Sequence, residues 1–314
     1  MAKIAKSGLT TAEQLGSIWH LGGLSAKQLA KRVWRGIDQN NLLGRASELA
    51  YNFILALFPL IIFLLALFGL FATYAHELRS NFFFYLSSVL PPAAFDVIRK
   101  TIIEIVRSTS GGKLTFGIIF TLWAAAGGMT SMISALNGAY GVRDSRSWFK
   151  VRAIAVGLTI ALAILVISAL AVVLVGGHVA ELVGRHLHLG SYVVLAWKIA
   201  QWPLALLFIV VSFSLIYFFG PDLKEQHWYW ITPGSLVGVA VWLIASFAFR
   251  AYLHFFNTYN KTYGSLGAVI ILLIWFYVTG LAFVVGGEIN AEIEQAAAER
   301  GHPEAKAEGQ KKAA

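Results

Sequence analysis

Six stretches of this chain run for at least twenty residues without a charge: Leu49–Tyr74, Leu114–Val142, Ala153–Val175, Ile199–Gly220, Trp228–Phe249 and Tyr263–Gly287. A bilayer core about 30 Å thick is crossed by roughly 20 apolar helical residues. Within lipid the backbone must satisfy its own hydrogen bonds, so spans are helices or closed barrels. Barrel strands alternate in polarity over about ten residues, whereas these runs are continuous. The expected fold is therefore all-α: a polytopic membrane protein with six transmembrane helices. Composition agrees, since 58% of residues are apolar and 13% are charged, about half the charge of a soluble protein.

Basic residues orient the bundle. With the amino terminus in the cytoplasm, the inner side carries sixteen lysines and arginines and the outer side eight, Lys198 being left out within the fourth span. The positive-inside rule then places both termini in the cytoplasm. The opening "MAKIAKSGLTTAEQLGSIWH" has no early apolar region of the kind found in a signal peptide. Zero cysteines exclude disulfides, thiol nucleophiles and thiolate metal sites.

This reading divides the chain into a cytoplasmic basic segment (1–46), a six-helix domain (47–290) and a disordered cytoplasmic tail (291–314). Spans are expected near 49–74, 114–139, 153–176, 193–220, 229–251 and 264–287, with an outer loop over 76–113. Within the first segment, Ser25–Gln39 places Leu29, Val33, Trp34 and Ile37 on one helical face and Lys27, Lys31, Arg32 and Arg35 on the other. Either an interfacial amphipathic helix or a basic flank fits that pattern. In the outer loop, Phe95, Ile98, Ile102 and Ile105 recur at helical spacing opposite Arg99, Lys100 and Arg107, the mark of a second interfacial helix.

Charge at mid-bilayer is costly and marks function. None of the six expected spans has a charge near its centre; Glu48 and Glu288 fall at inner ends, Arg250 and Lys261 at outer ends. The candidate rim or gate residues are Arg45, Glu48, Asn137, Arg143, Arg250, Tyr259, Asn260, Lys261, Tyr263, Glu288 and Asn290. Glu48 and Glu288 beside the basic run Tyr140–Arg152 form either a headgroup-binding rim or a structural ion cluster. Gly127, Ser131, Ala135 and Gly138 make a small-residue stripe suited to close helix packing. Pro59 marks a kink inside the first span, Pro233 a helix start, and Gly264 and Gly287 tight positions around the sixth. No phosphate-binding loop or H-E-x-x-H pattern occurs, so neither an enzymatic activity nor a cofactor is expected; His178, Glu181, His186 and His188 lack metal-site spacing.

Three blocks resemble the YihY/BrkB family of bacterial inner-membrane proteins: "RASELAYNFILALFPLIIF", "SALNGAYGVRDSR" and the run from "WYWITPGSL" to "GGEINAEI". The resemblance covers roughly Leu24–Ile293 and implies six spans and a role in the cell envelope, including export of lipid-linked precursors. Family members often carry Ala-Ala before Leu-Ala-Tyr, where this chain has Ser47-Glu48. The family's older label, ribonuclease BN, implies an H-x-H-x-D-H zinc motif; "HLHLGS" supplies only its first half, on the outer side, so no nucleic-acid partner is expected. The expected function is a transporter or flippase-like protein for an amphiphilic, lipid-linked substrate, or else a non-transporting scaffold for envelope assembly. Membrane lipids, such a substrate and a second copy of the chain are the expected partners.

Overall fold

A computed structural model describes residues 19–72, 111–186, 190–223, 231–255 and 265–299. After a 3-10 turn (Leu21–Gly23) come seven α-helices: α1 Ala26–Gln39, α2 Leu42–Ala72, α3 Gly111–Ala139, α4 Trp148–His186, α5 Gly190–Phe219, α6 Pro233–Phe255 and α7 Ser265–Glu299. No strand occurs among the described residues. Five windows are long and apolar enough to cross a membrane: Ile119–Ala139, Trp148–Val173, Val194–Phe219, Pro233–Tyr252 and Val269–Glu299. The expected outer amphipathic helix, and Tyr259, Asn260, Lys261, Tyr263 and Gly264, lie outside the described residues.

Local chemistry sets the helix ends. The Ser25 hydroxyl accepts from the Gln28 amide while the Gln28 side chain accepts from the Ser25 amide, a reciprocal cap that opens α1. Asn41, at φ 49°, turns the chain into α2, a conformation asparagine tolerates better than most residues. α3 ends on Gly141 at φ 61°, with Val142 N–H bonded to the Asn137 carbonyl and Gly141 N–H to that of Gly138. That pair of bonds is a Schellman motif. Thr232 and Ser235 cap α6 reciprocally around Pro233, its first residue.

α7 is the hub: it packs against α1, α2, α3 and α6, while α4 pairs with α5 and leans on α3. The core joins Leu42 and Leu49 of α2, Ala126, Ile133 and Leu136 of α3, and Phe283 and Val284 of α7. Close backbone approach is achieved with glycine. A Cβ on Gly286 would overlap the Tyr217 hydroxyl and sit 2.6 Å from the Gly234 carbonyl oxygen. The Tyr217 hydroxyl donates to the Phe283 carbonyl at 2.7 Å, locking α5 to α7 at that crossing.

The structure corrects three expectations. The chain past Asn290 is not a disordered tail over 291–299, because α7 continues to Glu299 with Ile293, Ala296 and Ala297 buried. At 35 residues the helix is about 52 Å long, so its last turns outrun the bilayer core and are covered by α1 and the 3-10 turn. Trp34 is not on the apolar face of α1 but 76% exposed; Val33 is the buried residue, packed with Ile289 and Ile293. Gly127 is not a contact position, since a Cβ there meets no described atom within 4 Å, whereas Gly128 packs on Ala56. Gly286→Ala is expected to destabilise the detergent-solubilised protein in a thermal melt, by about 1–3 kcal/mol of overpacking. Gly127→Ala is expected to be neutral or to stabilise by up to about 1 kcal/mol through helix propensity.

Candidate functional site

Among the described residues, most side-chain hydrogen bonds between helices and their connections lie at one end of the bundle. The amino-terminal end of α2, the loop from α3 to α4, the turn after α5, the start of α6 and the extension of α7 all meet there. The described segments before α2 and at the close of α7 therefore share one end.

Three knots form this end. In the first, Glu288 is 1% exposed, and the Asn40 side-chain amide donates to both its carboxylate oxygens at 2.9 and 3.1 Å. A Cβ at Gly36 would overlap that carboxylate, so glycine in α1 makes the room. Arg45 lies close by, donating to the Asn40 carbonyl at 2.9 Å and the Ser134 carbonyl at 3.4 Å, its guanidinium filling the space left by Gly138.

The second knot centres on Asn137 and Asp222. The Asn137 amide donates to Asp144 at 2.9 Å and its carbonyl accepts from the Asp222 backbone N–H at 2.7 Å. Asp222, fully buried, accepts from the Ser145 amide and hydroxyl at 2.8 and 2.6 Å. Arg146 grips Asp144 with two hydrogen bonds of 2.8 and 2.6 Å, donates to the Gly220 carbonyl and stands 3.7 Å from Asp222. Burial pushes the Asp144 carboxyl up, but the hydrogen bonds and charge of Arg146, with the Asn137 amide, outweigh it and hold the group below its ordinary value.

The third knot ties α6 to α7. The Asn290 side chain accepts from the Gly234 amide at 2.9 Å and donates to the Thr232 hydroxyl at 3.0 Å. Glycine is required at 234, where a Cβ would overlap the Gly286 carbonyl oxygen.

The chain belongs to the BrkB family. Residues 33–310 match the family described as "Virulence factor BrkB". The ribonuclease-like protein YfkH of Bacillus subtilis is 32% identical over 248 residues, covering 79% of this chain and 88% of its own length. A UPF0761 membrane protein of Vibrio atlanticus is 27% identical over 85% of this chain and 82% of its own length. Another, from Haemophilus influenzae, is 23% identical over 87% and 97%. No solved structure matches the chain. The YihY/BrkB resemblance read from the sequence is thus the family shown by comparison.

Within this BrkB-family structure the expected rim residues separate. Asn137, Glu288, Asn290 and Arg45 take part in the knots, while Glu48 and Arg143 are exposed beside them. Arg250 is exposed on α6, and Ala135 and Gly287 are buried, the latter against Leu136. Ser131 bonds back to the Gly127 carbonyl at 3.4 Å, and Pro59 sits inside α2. No group of three potential metal ligands occurs among the described residues.

Sequence reasoning missed Asn40, Gly36, Asp222 and Thr232, and held Ser145 and Arg146 only within the basic run Tyr140–Arg152. The "GPD" tripeptide ending the fourth apolar run was the available signal: an aspartate directly after a helix-stopping Gly-Pro. The sequence places Arg152 in the inner basic run just before the third span, and the structure makes it the fifth residue of α4. Its side chain donates to the Trp123 carbonyl and to the Thr130 hydroxyl, and lies 4.5 Å over the Trp123 ring.

Asp222→Ala is expected to lower thermal stability by on the order of 3 kcal/mol, because it strips the Arg146 pair of a buried partner. Asp144 has a depressed carboxyl, so its contribution is present above about pH 4 and lost as pH falls through the folded value. Melts of wild type and Asp144→Asn should therefore converge on acidification.

Proposed function

We propose that this protein is a transporter or flippase-like component of the bacterial inner membrane, acting on an amphiphilic, lipid-linked substrate. The observation that carries the reading is the separation of polar from apolar surface. Polar side chains concentrate at one end, where Arg143, Lys150, Lys27 and Lys31 are exposed, while apolar residues such as Ile164, Ile199, Trp202, Ile244 and Phe247 are exposed along the helices. A lipid could enter sideways, keeping its tails against those faces and presenting its headgroup to the basic rim. The polar end is the cytoplasmic one in this proposal, with six crossings and both termini inside, and no enzymatic chemistry is required.

One observation favours a second reading, a non-transporting scaffold. Asn137, Asp144, Asp222, Glu288 and Asn290 are all engaged with one another or with neighbouring backbone, the pattern of a rigid anchor.

Movement of labelled envelope lipids across reconstituted vesicles separates the readings. Wild type is expected to exceed empty vesicles, with Arg143→Ala reducing the rate several-fold and Lys198→Ala leaving it unchanged. Folded protein with no acceleration for any envelope lipid tested leaves the scaffold. With no native cysteine, single-cysteine variants test the orientation. Ser147→Cys should react only with a reagent that crosses the membrane, and Asn260→Cys with an impermeant one.

A further inference from the structure

Two arginines of the polar end pair with carboxylates, whereas Arg45 and Arg152 bond to neutral groups. Arg32 pairs with Glu299 at 2.8 Å and Glu292 at 3.7 Å, and Arg146 pairs with Asp144 and Asp222. Arg152 has no carboxylate within 4 Å among the described residues. Its partners are neutral: one carbonyl, one hydroxyl and the face of an indole. Its Nε is buried with no acceptor at all.

Thr130 and Trp123 precede the end of α3 at Ala139 by nine and sixteen residues, so the guanidinium sits roughly 14–24 Å along α3 from the polar end. Arg152 is the fifth residue of α4, and the ring contact between Trp123 and Trp148 puts this stretch of α3 level with the start of that span. A cation at the mouth of a span gains from a group that compensates its charge.

Space for a counter-ion exists beside it. Trp123, Gly127, Thr130 and Ser134 follow one another at i, i+4, i+7 and i+11, one face of α3. Arg152 touches the first and third of these, and a Cβ added at the second would meet no described atom within 4 Å. The surroundings are lipid-facing: Trp123, Phe120, Trp148 and Phe149 are all exposed, with Trp123 and Trp148 in ring contact at 5.7 Å. Aromatic rings of this kind suit the level where headgroup meets acyl chain.

From these observations we infer that the notch formed by Arg152, Thr130 and Gly127 between α3 and α4 binds the anionic headgroup of a membrane lipid, whose chains lie against the exposed aromatic residues. The terminal guanidinium nitrogens can turn to a phosphate or carboxylate, and the Thr130 hydroxyl can turn from the Ala126 carbonyl, which it now contacts at 3.0 Å, to the same anion. A lipid is the fitting source, because the exposed rings of Phe120, Trp123, Trp148 and Phe149 offer its chains an apolar surface beside the guanidinium. The inference deepens the transport reading by giving its substrate a charge, and its test reads binding alone.

The full-length protein in a neutral detergent is titrated with phosphatidylglycerol, phosphatidylcholine or inorganic phosphate, and bound lipid is counted by native mass spectrometry. Wild type is expected to prefer phosphatidylglycerol by about tenfold, the scale of one charge-assisted hydrogen bond, with phosphate failing to compete. Arg152→Gln should abolish the preference and Arg152→Lys should retain part of it. Gly127→Leu should abolish it while leaving the melt intact, since it fills the notch and keeps the cation; a merely structural arginine would not respond. Arg32→Gln should keep it. A preference that survives both Arg152→Gln and Gly127→Leu overturns the inference, as does competition by free phosphate. Should the preference be lost as expected while vesicle transport is absent, the binding site stands and the transport reading falls.

Discussion

A carboxylate buried at the end of a membrane helix has to find its hydrogen bonds inside the protein, and Glu288 sets that requirement here. An unsatisfied buried charge costs several kcal/mol, so the chain must bring donors to it. Asn40 supplies them, and it can do so only if α1 lies against α7 with glycine at position 36. That docking covers Ile289 and Ile293 with Val33, which keeps the extension of α7 helical beyond the bilayer. The Arg32 contacts to Glu292 and Glu299 close the same interface at its exposed edge. One buried acid thereby accounts for the placement of a whole amphipathic helix.

The other knots extend the same logic across the end of the bundle. Asn137 serves two masters, donating to the loop after α3 and accepting from the turn after α5. Amides suit this work, because one side chain both gives and receives without carrying charge. Asn290 does likewise between α6 and α7. In the first knot Gly36 and Gly138 make room for the Glu288 and Arg45 side chains, and in the third Gly234 lets two backbones close in.

The fold was legible where periodicity and length carry the information. Each uncharged run became a long helix among the described residues, and Pro233 marked a start that the structure repeats. Contacts between distant segments were less legible. Asn137, Glu288 and Asn290 stood out because polar groups at span ends are conspicuous, but Asn40 and Asp222 lie in ordinary-looking turns whose meaning comes from what packs against them. Trp34 was misplaced because helical faces were drawn for a lipid surface, whereas α1 buries a narrower stripe against a protein helix. The alanine-rich run after Asn290 looked disordered for a related reason: small residues give little amphipathic signal alone, yet they permit the close approach of α1 and the 3-10 turn.

Arg152 shows the limit of counting charges along a sequence. By position it stands only one turn into α4, where a long basic side chain ordinarily snorkels to water. Its contacts hold it instead beside the Trp123–Thr130 stretch of α3. Pairing with a carboxylate would be the other usual resolution, and none is within reach among the described residues. Carbonyl, hydroxyl and indole together soften the charge without cancelling it. Arg32 and Arg146 meet carboxylates and the other basic groups of the polar end are mostly exposed, whereas Arg152 is partly buried among neutral groups. In a medium made of lipids, the readiest molecule to match it is one whose headgroup is negative and whose chains already fit the surface beside it.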